Sequence, residues 1–353
     1  MSPSLANVVP VSSSDPAIAP RLRAQMLSGA PASSVVAVVE RLLAVQAQDA
    51  RGARLAIRVR SKGLTTTDVD RALTDDRSLV ITTLNRGTLH LVRSEDYWWL
   101  HALTSPPVFT TNALRLKQEG VTPAAAERGV QAVVKALTRD GPLTRTQLRE
   151  HVHRARVPVA GQALVHVLLL ASLRGLTVRG PMVDGDHAHV LVRDWLGAAP
   201  QPMERDAALT LLARRYLTGH GPATDRDLAR WAKLPLRDAR RGLSELELVD
   251  LGDGLVDLPG RRAVRALPPP KLLGQFDPLL LGWVSREDVL GDRQDVVTVN
   301  GIFRAIALVG GRAVATWVLP GGTVELDPFR PLTSAERKAL GVDAADVTRF
   351  LTS

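Results

Sequence analysis

Two five-residue segments 80 positions apart share the phrase Gly-Pro-x-Thr: Asp140-Gly141-Pro142-Leu143-Thr144 and His220-Gly221-Pro222-Ala223-Thr224. In each copy Gly-Pro breaks helix-forming sequence, and the threonine caps the next helix. Thr144 also has Gln147 three residues on, the capping-box spacing. Before the first copy the apolar spacing predicts a helix over 124–137. After it come the helix opened by Thr144, a third helix over 162–173, and two strands, 176–179 and 189–192, joined by the loop 180–188. Around the second copy the order repeats: helix 207–217, the Thr224 helix, helix 235–242, and a hairpin over 246–258 turning at Gly252-Asp253-Gly254. Such an echo marks one supersecondary unit used more than once.

The same order is visible upstream without the phrase. Ser33 or Ser34 caps a helix with an apolar stripe of Val35, Val38, Val39, Leu42 and Leu43. A second helix is expected over 53–61, and a third from Thr67 with Asp70 at the capping-box position. Two strands then flank the turn Asn85-Arg86-Gly87. Helices followed by a hairpin make a winged helix-turn-helix module. Beyond Leu267-Pro268-Pro269-Pro270 the pattern changes to β-branched runs at 296–299, 305–309, 313–319 and 323–327, punctuated by Gly-Gly, with a helix from Ser334. This tail reads as an antiparallel sheet or a small barrel.

Composition narrows the function. The chain has 353 residues and no cysteine, which excludes disulfides, thiolate catalysis, zinc-finger cores and cysteine-held iron–sulfur clusters. Of 45 basic residues 39 are arginine, and the net charge is +9. Guanidinium suits phosphate and base edges, so nucleic acid is the partner the charge favours; a G+C-rich genome would enrich arginine as well. No run of about 18 apolar residues spans a membrane, and the opening Met1–Pro16 lacks a signal-peptide pattern, so a cytoplasmic, nucleoid-associated protein is expected. His151/His153 and His187/His189 share a face only on extended backbone; the first pair precedes Arg154 and Arg156 and suits phosphate equally. No metal or cofactor site is assigned.

Gln46, Gln48 and Asp49 follow the first helix. On a continuing α-helix the two glutamines would point about 200° apart, so a shared site requires the backbone to leave helical geometry near Ala47. Read alone, they either close and solvate a helix end or form a site. Arg51, Arg54, Arg58, Arg60 and Arg86 surround them as candidates for DNA contact or for surface ion pairs. Arg145, at the start of a helix, and Arg312, beside the Gly310-Gly311 turn, are further candidates for DNA contact. Trp98 and Trp99 are hydrophobic anchors or stacking groups. Asp277 and Arg286 are expected to pair.

The run from Arg41 through Gln46-Ala47-Gln48-Asp49 to Arg51, followed by Arg58-Val59-Arg60, resembles the signature of the AlkZ/YcaQ-like DNA glycosylases. The likeness continues through Asn85–Val92, Asp96–Trp99, Arg215-Tyr216, Gly221-Pro222, Asp227, Trp231, Phe276–Trp283, Arg286, Asn300–Phe303 and Gly311–Trp317. It implies an α+β chain of three tandem winged helix-turn-helix domains, 15–120, 121–202 and 203–266, plus a C-terminal β-barrel, 271–353, after a disordered arm, 1–14. It also implies a C-shaped monomer around duplex DNA containing alkylated purines. Members known as glycosylases remove N7-alkylated purines, some unhook interstrand crosslinks, and the Gln-Φ-Gln form of the motif is associated with self-resistance of antibiotic producers. Gln46 and Gln48 then become the catalytic pair, with Gln48 holding the attacking water and Asp49 a candidate for charge stabilisation. A non-catalytic DNA-binding protein, including a transcriptional regulator, and a winged-helix scaffold for a protein partner are the alternatives.

Overall fold

The structure, a computed structural model, describes residues 17–262 and 267–353. The expected arm, 1–14, lies outside them. The first module comprises α1 (Ile18–Ala24), α2 (Val35–Leu42), β1 (Val45–Gln46), α3 (Ala50–Arg58), α4 (Thr66–Thr74), β2 (Leu79–Leu84), β3 (Thr88–Arg93), α5 (Tyr97–Thr104) and α6 (Pro106–Gln118). Ser34 caps α2 by accepting from Ala37 N–H, and Val35, Val38, Val39 and Leu42 form its buried stripe, as the spacing predicts. Helix α4 starts two residues earlier than expected. Thr65 and Asp68, rather than Thr67 and Asp70, form the capping box. The overlapping Thr-x-x-Asp patterns are chemically equal, but the earlier start adds helical residues and leaves Asp70 to pair with Arg54.

The second module has α7 (Pro123–Asp140), α8 (Arg145–Arg154), α9 (Ala163–Leu173), β4 (Thr177–Val183), β5 (Asp186–Leu191) and α10 (Val192–Trp195); the third has α11 (Arg205–His220), α12 (Asp225–Ala232), α13 (Leu236–Ser244), β6 (Val249–Asp250) and β7 (Val256–Asp257). Thr144 with Gln147 and Thr224 with Asp227 make full capping boxes, so both copies of the repeated phrase do the same local work. The first two modules share one antiparallel sheet of order β1-β3-β2-β4-β5, joined where Ile81 pairs with Arg179.

The C-terminal part contains β8 (Lys271–Leu273), α14 (Glu287–Leu290), β9 (Ile306–Val309), β10 (Arg312–Val318), β11 (Glu325–Pro328) and α15 (Ser334–Thr352). Its strands form an open sheet of order β11-β10-β9-β8, and no sheet of the described residues closes into a barrel, contrary to the expected C-terminal β-barrel. Two causes are visible. The β-branched run 296–299 is not a strand but ends a 3-10 turn and enters a tight turn closed by Gly301 N–H to Thr298 C=O. Strand β8 is an edge whose outward backbone groups are taken by side chains: Leu272 C=O accepts from Arg58 at 2.7 Å, and Leu272 N–H donates to Asp343 at 2.7 Å. A satisfied edge needs no further strand. Helix α15 buries Leu340 and Val347 in one apolar cluster with Leu272, Ala307, Ala315 and Trp317 of the sheet.

A buried ion pair ties this sheet to the first module. Arg60 and Asp277, both 0% exposed, meet through two bonds of 2.9 and 2.8 Å. The remaining donors of Arg60 reach Ala56 C=O, Gln25 C=O and Gln25 Oε1, so all five of its N–H groups are used. The expected Asp277–Arg286 pair does not form, because Arg60 occupies the carboxylate. Arg286 donates to Leu280 C=O and lies over the Phe303 ring.

Candidate active site

The path of the chain into the glutamines is set by one residue. Helix α2 stops at Leu43, whose φ of 65° and ψ of −48°, with Ala44 N–H donating to Leu42 C=O at 2.8 Å, make a classic γ-turn. This turn is rare and strained, by about 1–3 kcal/mol for such backbone, and is held by the burial of Leu43 at 0% exposure. Beyond it the chain is extended. Val45 and Gln46 pair with Leu91 and His90 of β3, and Ala47 N–H continues the ladder to Leu89 C=O at 2.7 Å. The strand ends at Gln46, and Gln48 follows Ala47 in a bend, so the segment between α2 and α3 is not helical, as a shared site for the two glutamines requires. Asp49 ends the segment as the N-cap of α3, accepting from Gly52 N–H.

Arg86, in the turn between β2 and β3, fixes the first amide. Its Nη2 donates to Gln46 Oε1 at 3.0 Å and its Nη1 to Trp231 C=O of the third module at 2.8 Å. A guanidinium only donates, so the atom of Gln46 facing it is the carbonyl oxygen. Burial, with Arg230 and Arg286 nearby, pulls the Arg86 pKa down to about 10, leaving it charged at neutral pH. Opposite Gln46 in the ladder, His90 is buried, and burial followed by the charge of Arg86 holds it at about 3. It is therefore neutral, with Nδ1–H donating to Thr88 C=O at 2.9 Å. Gln46 is buried, whereas Gln48 is exposed and its Oε1 has only a 3.5 Å contact from Leu89 N–H. The two amides are thus unequal: one carbonyl is locked to a cation, and the other is open to a water or a substrate. Amides can orient water and polarise bonds but cannot take up a proton, so this arrangement suits reactions with an activated leaving group.

The sequence profile of the DNA glycosylase AlkZ-like family matches residues 39–350, spanning all three modules and the C-terminal sheet. The chain belongs to the AlkZ-like DNA glycosylase family. An interstrand DNA cross-link repair glycosylase of Streptomyces sahachiroi is 29% identical over 363 residues, covering 93% of this chain and 94% of that protein. The solved structure of Streptomyces sahachiroi DNA glycosylase AlkZ matches with a TM-score of 0.74 at 27% identity, over 94% of this chain and 95% of that one.

Within this AlkZ-like frame the arginines expected to meet DNA divide by burial. Arg51, Arg145 and Arg312 are exposed. Arg54 is buried between Asp70 and the His187 ring, with its Nη1 3.2 Å from His187 Nε2. Arg58 is 3% exposed and pairs with Asp343 and Asp346, and Arg60 is enclosed with Asp277. Arg58 and Arg60 therefore serve the junction between α3 and the C-terminal sheet and do not reach a phosphate. Helix α3 turns Arg54 and Arg58 inward, heads included, and leaves Arg51 exposed. For Arg58 and Arg60 no carboxylate partner lies within the first module's own sequence to signal this; Asp277, Asp343 and Asp346 are more than 200 positions away. Trp99 is buried and donates to Asp96, an anchoring role, while Trp98 is partly buried. His187 faces a guanidinium, and among the described residues no three His, Asp or Glu side chains gather as a metal site. No described helix is long and apolar enough to cross a membrane. The composition gave no sign of Thr177, Arg179 or His189 near Gln48; their proximity follows from the sheet shared by two modules.

Proposed function

We propose that this protein is a monofunctional glycosylase of the Gln-Φ-Gln subtype, hydrolysing the N-glycosidic bond of N7-alkylated purines in duplex DNA, bulky adducts and interstrand crosslinks included. The observation that carries this reading is the pair of unequal amides on one non-helical segment, Gln46 anchored by Arg86 and Gln48 open. An N7-alkylated purine is already cationic and leaves without protonation, so neutral catalytic groups suffice. Gln48 Oε1 accepts from the attacking water, and Gln46, its carbonyl held, presents its NH2 to the water or the sugar–phosphate backbone. The Asp49 carboxylate adds negative field toward the oxocarbenium-like sugar, and Arg51, Arg145 and Arg312 contact phosphates. The cross-link repair named for the Streptomyces sahachiroi relative supports the wider lesion range, and a protective role beside a DNA-alkylating natural product fits it. The protein acts as a monomer.

The test is release of base from duplexes carrying 7-methylguanine, a bulky N7 adduct or an N7–N7 crosslink. Wild type is expected to free base from at least one, with Gln48→Ala losing about 100-fold or more while DNA affinity stays within about threefold. Wild type that frees no base from any of them, yet binds duplex DNA, would leave a non-catalytic binding protein instead.

A further inference from the structure

A cleft of about 450 Å³ opens where three parts of the chain meet, and none of its lining belongs to the glutamine site. It is lined by Arg23 and the loop after α1, by Arg41 and Thr218 near the ends of α2 and α11, and by the segment Leu258–Arg262 that leads on toward the C-terminal sheet. Four guanidiniums therefore share it: Arg23, Arg41, Arg261 and Arg262. Arg261 has a carboxylate, Asp257, which takes its Nε and Nη2. Among the described residues no carboxylate pairs with Arg23, Arg41 or Arg262. Glu40, next to Arg41 in sequence, is taken by Arg93 at 2.8 Å. Burial lowers the Arg41 pKa, and the charges of Arg261 and then Arg23 lower it further, so these cations lie close enough to repel. Gly29, at φ 91°, lets the Arg23 head lie across the loop; a Cβ there would come 3.0 Å from its Nη1. In the same loop Ser28 Oγ is buried without a hydrogen-bond partner.

This lining defines the guest. Like charges gathered in a half-buried cleft oppose one another, and an anion bound among them removes that cost. Guanidinium forks match phosphate oxygens, two bonds at a time, better than they match a point charge. A phosphodiester of DNA brings one charge and leaves two of the three unpaired arginines unmatched. A condensed phosphate concentrates several charges within the span of one cleft. No aromatic side chain lines the cleft, so no residue there stacks on a base and selectivity falls on the phosphate groups themselves.

We propose that this cleft is a binding site for a condensed phosphate, either pyrophosphate or the polyphosphate end of a nucleotide, held by Arg23, Arg41 and Arg262 with Ser28 as a further donor. Its lining comes from the first module, the third module and the segment before the C-terminal sheet. The bound anion therefore joins all three and stabilises the folded chain by mass action. It takes no part in excision and stands whether or not the glycosylase reading does.

The test is calorimetric titration of the full chain with inorganic pyrophosphate, ATP, orthophosphate and sulfate at constant ionic strength. Pyrophosphate is expected to saturate one site and to bind at least about tenfold tighter than orthophosphate or sulfate. ATP binding equally well extends the site to nucleotide ends, and weaker ATP confines it to the free anion. Arg23→Gln and Arg41→Gln are each expected to weaken pyrophosphate about tenfold. Arg262→Gln, at an exposed position where the fold is not at stake, is expected to weaken it about threefold. Arg145→Gln, on the proposed DNA face, is expected to leave it unchanged. Pyrophosphate no tighter than sulfate, binding unchanged in all three cleft variants, or a loss in Arg145→Gln as large as in Arg41→Gln overturns the site. Undamaged duplex that displaces pyrophosphate, with Arg23→Gln and Arg41→Gln weakening both in parallel, also overturns it and makes the cleft part of the DNA surface.

Discussion

Arg86 joins three parts of the protein through one planar group: its own hairpin turn, the Gln46 amide of the neighbouring strand and the Trp231 carbonyl of the third module. Its charge is retained despite burial, so the Gln46 carbonyl is held by a charge-assisted bond rather than by packing alone. Arg86→Met keeps most of the side-chain volume and removes both bonds. We expect single-turnover excision to fall about 10- to 100-fold, since a displaced group near the reacting atoms costs on that order. Duplex affinity is expected to stay within about threefold. Equal losses in affinity and excision would make Arg86 a DNA contact instead. Arg145, exposed, has the opposite expectation: Arg145→Gln weakens binding at every sequence and lowers the slope of log K against log salt by about one unit.

Local sequence rules located most helices and both early hairpins because caps, stripes and turn residues act over a few positions. Thr144 and Thr224 are legible for that reason. The misplaced cap of α4 shows the limit, since two Thr-x-x-Asp patterns overlap and only the pairing of Asp70 with Arg54 distinguishes them. The barrel expectation failed for a different cause. Whether a strand edge stays open depends on groups far away in the chain, here Arg58 and Asp343 on Leu272. Arg58→Met strips the Leu272 carbonyl of its partner and leaves Asp343 without its ion-pair partner, while Asp346 keeps Arg349. A loss of about 2–4 kcal/mol is expected in urea unfolding, with concentration-dependent association in light scattering as β8 becomes an open edge. The candidate site was legible as two glutamines only through family likeness, and the second-module residues beside Gln48 not at all, because Ile81 and Arg179 meet by pairing strands of different modules.

Across the whole molecule, buried histidines mark its junctions. His90 lies on β3 opposite Gln46, His189 at the seam of two modules, and His220 between Tyr216, Trp231 and Trp283 where the third module meets the C-terminal part. Burial chiefly holds all three at about 3, against an ordinary value near 6.5. Between those values the unfolded chain binds more protons than the folded one, so stability rises with pH. It is fully present above about 6.5 and falls as the solution is acidified toward 3, by about 1.4 kcal/mol per pH unit for each histidine. Thermal melts are expected to be flat from pH 7 to 8 and to drop steeply below 6, with His220→Phe reducing the slope. A flat profile down to pH 4 would contradict the burial of these rings. The Arg60–Asp277 pair, spanning the first module and the C-terminal sheet, gives the complementary test: Arg60→Met leaves Asp277 buried and uncompensated, at a cost of about 3–5 kcal/mol.

The γ-turn at Leu43 has a consequence for how such a chain can vary in length. Strand side chains alternate, so the interval from the turn to Gln46 carries a parity as well as a distance. Lengthening it by one residue would send Gln46 to the reverse face and bring Val45 forward in its place, with the ladder to β3 otherwise intact. Lengthening it by two would restore the facing. It would also carry Gln46 two positions along the ladder, away from His90 and Arg86, so an insertion of either parity should cost activity.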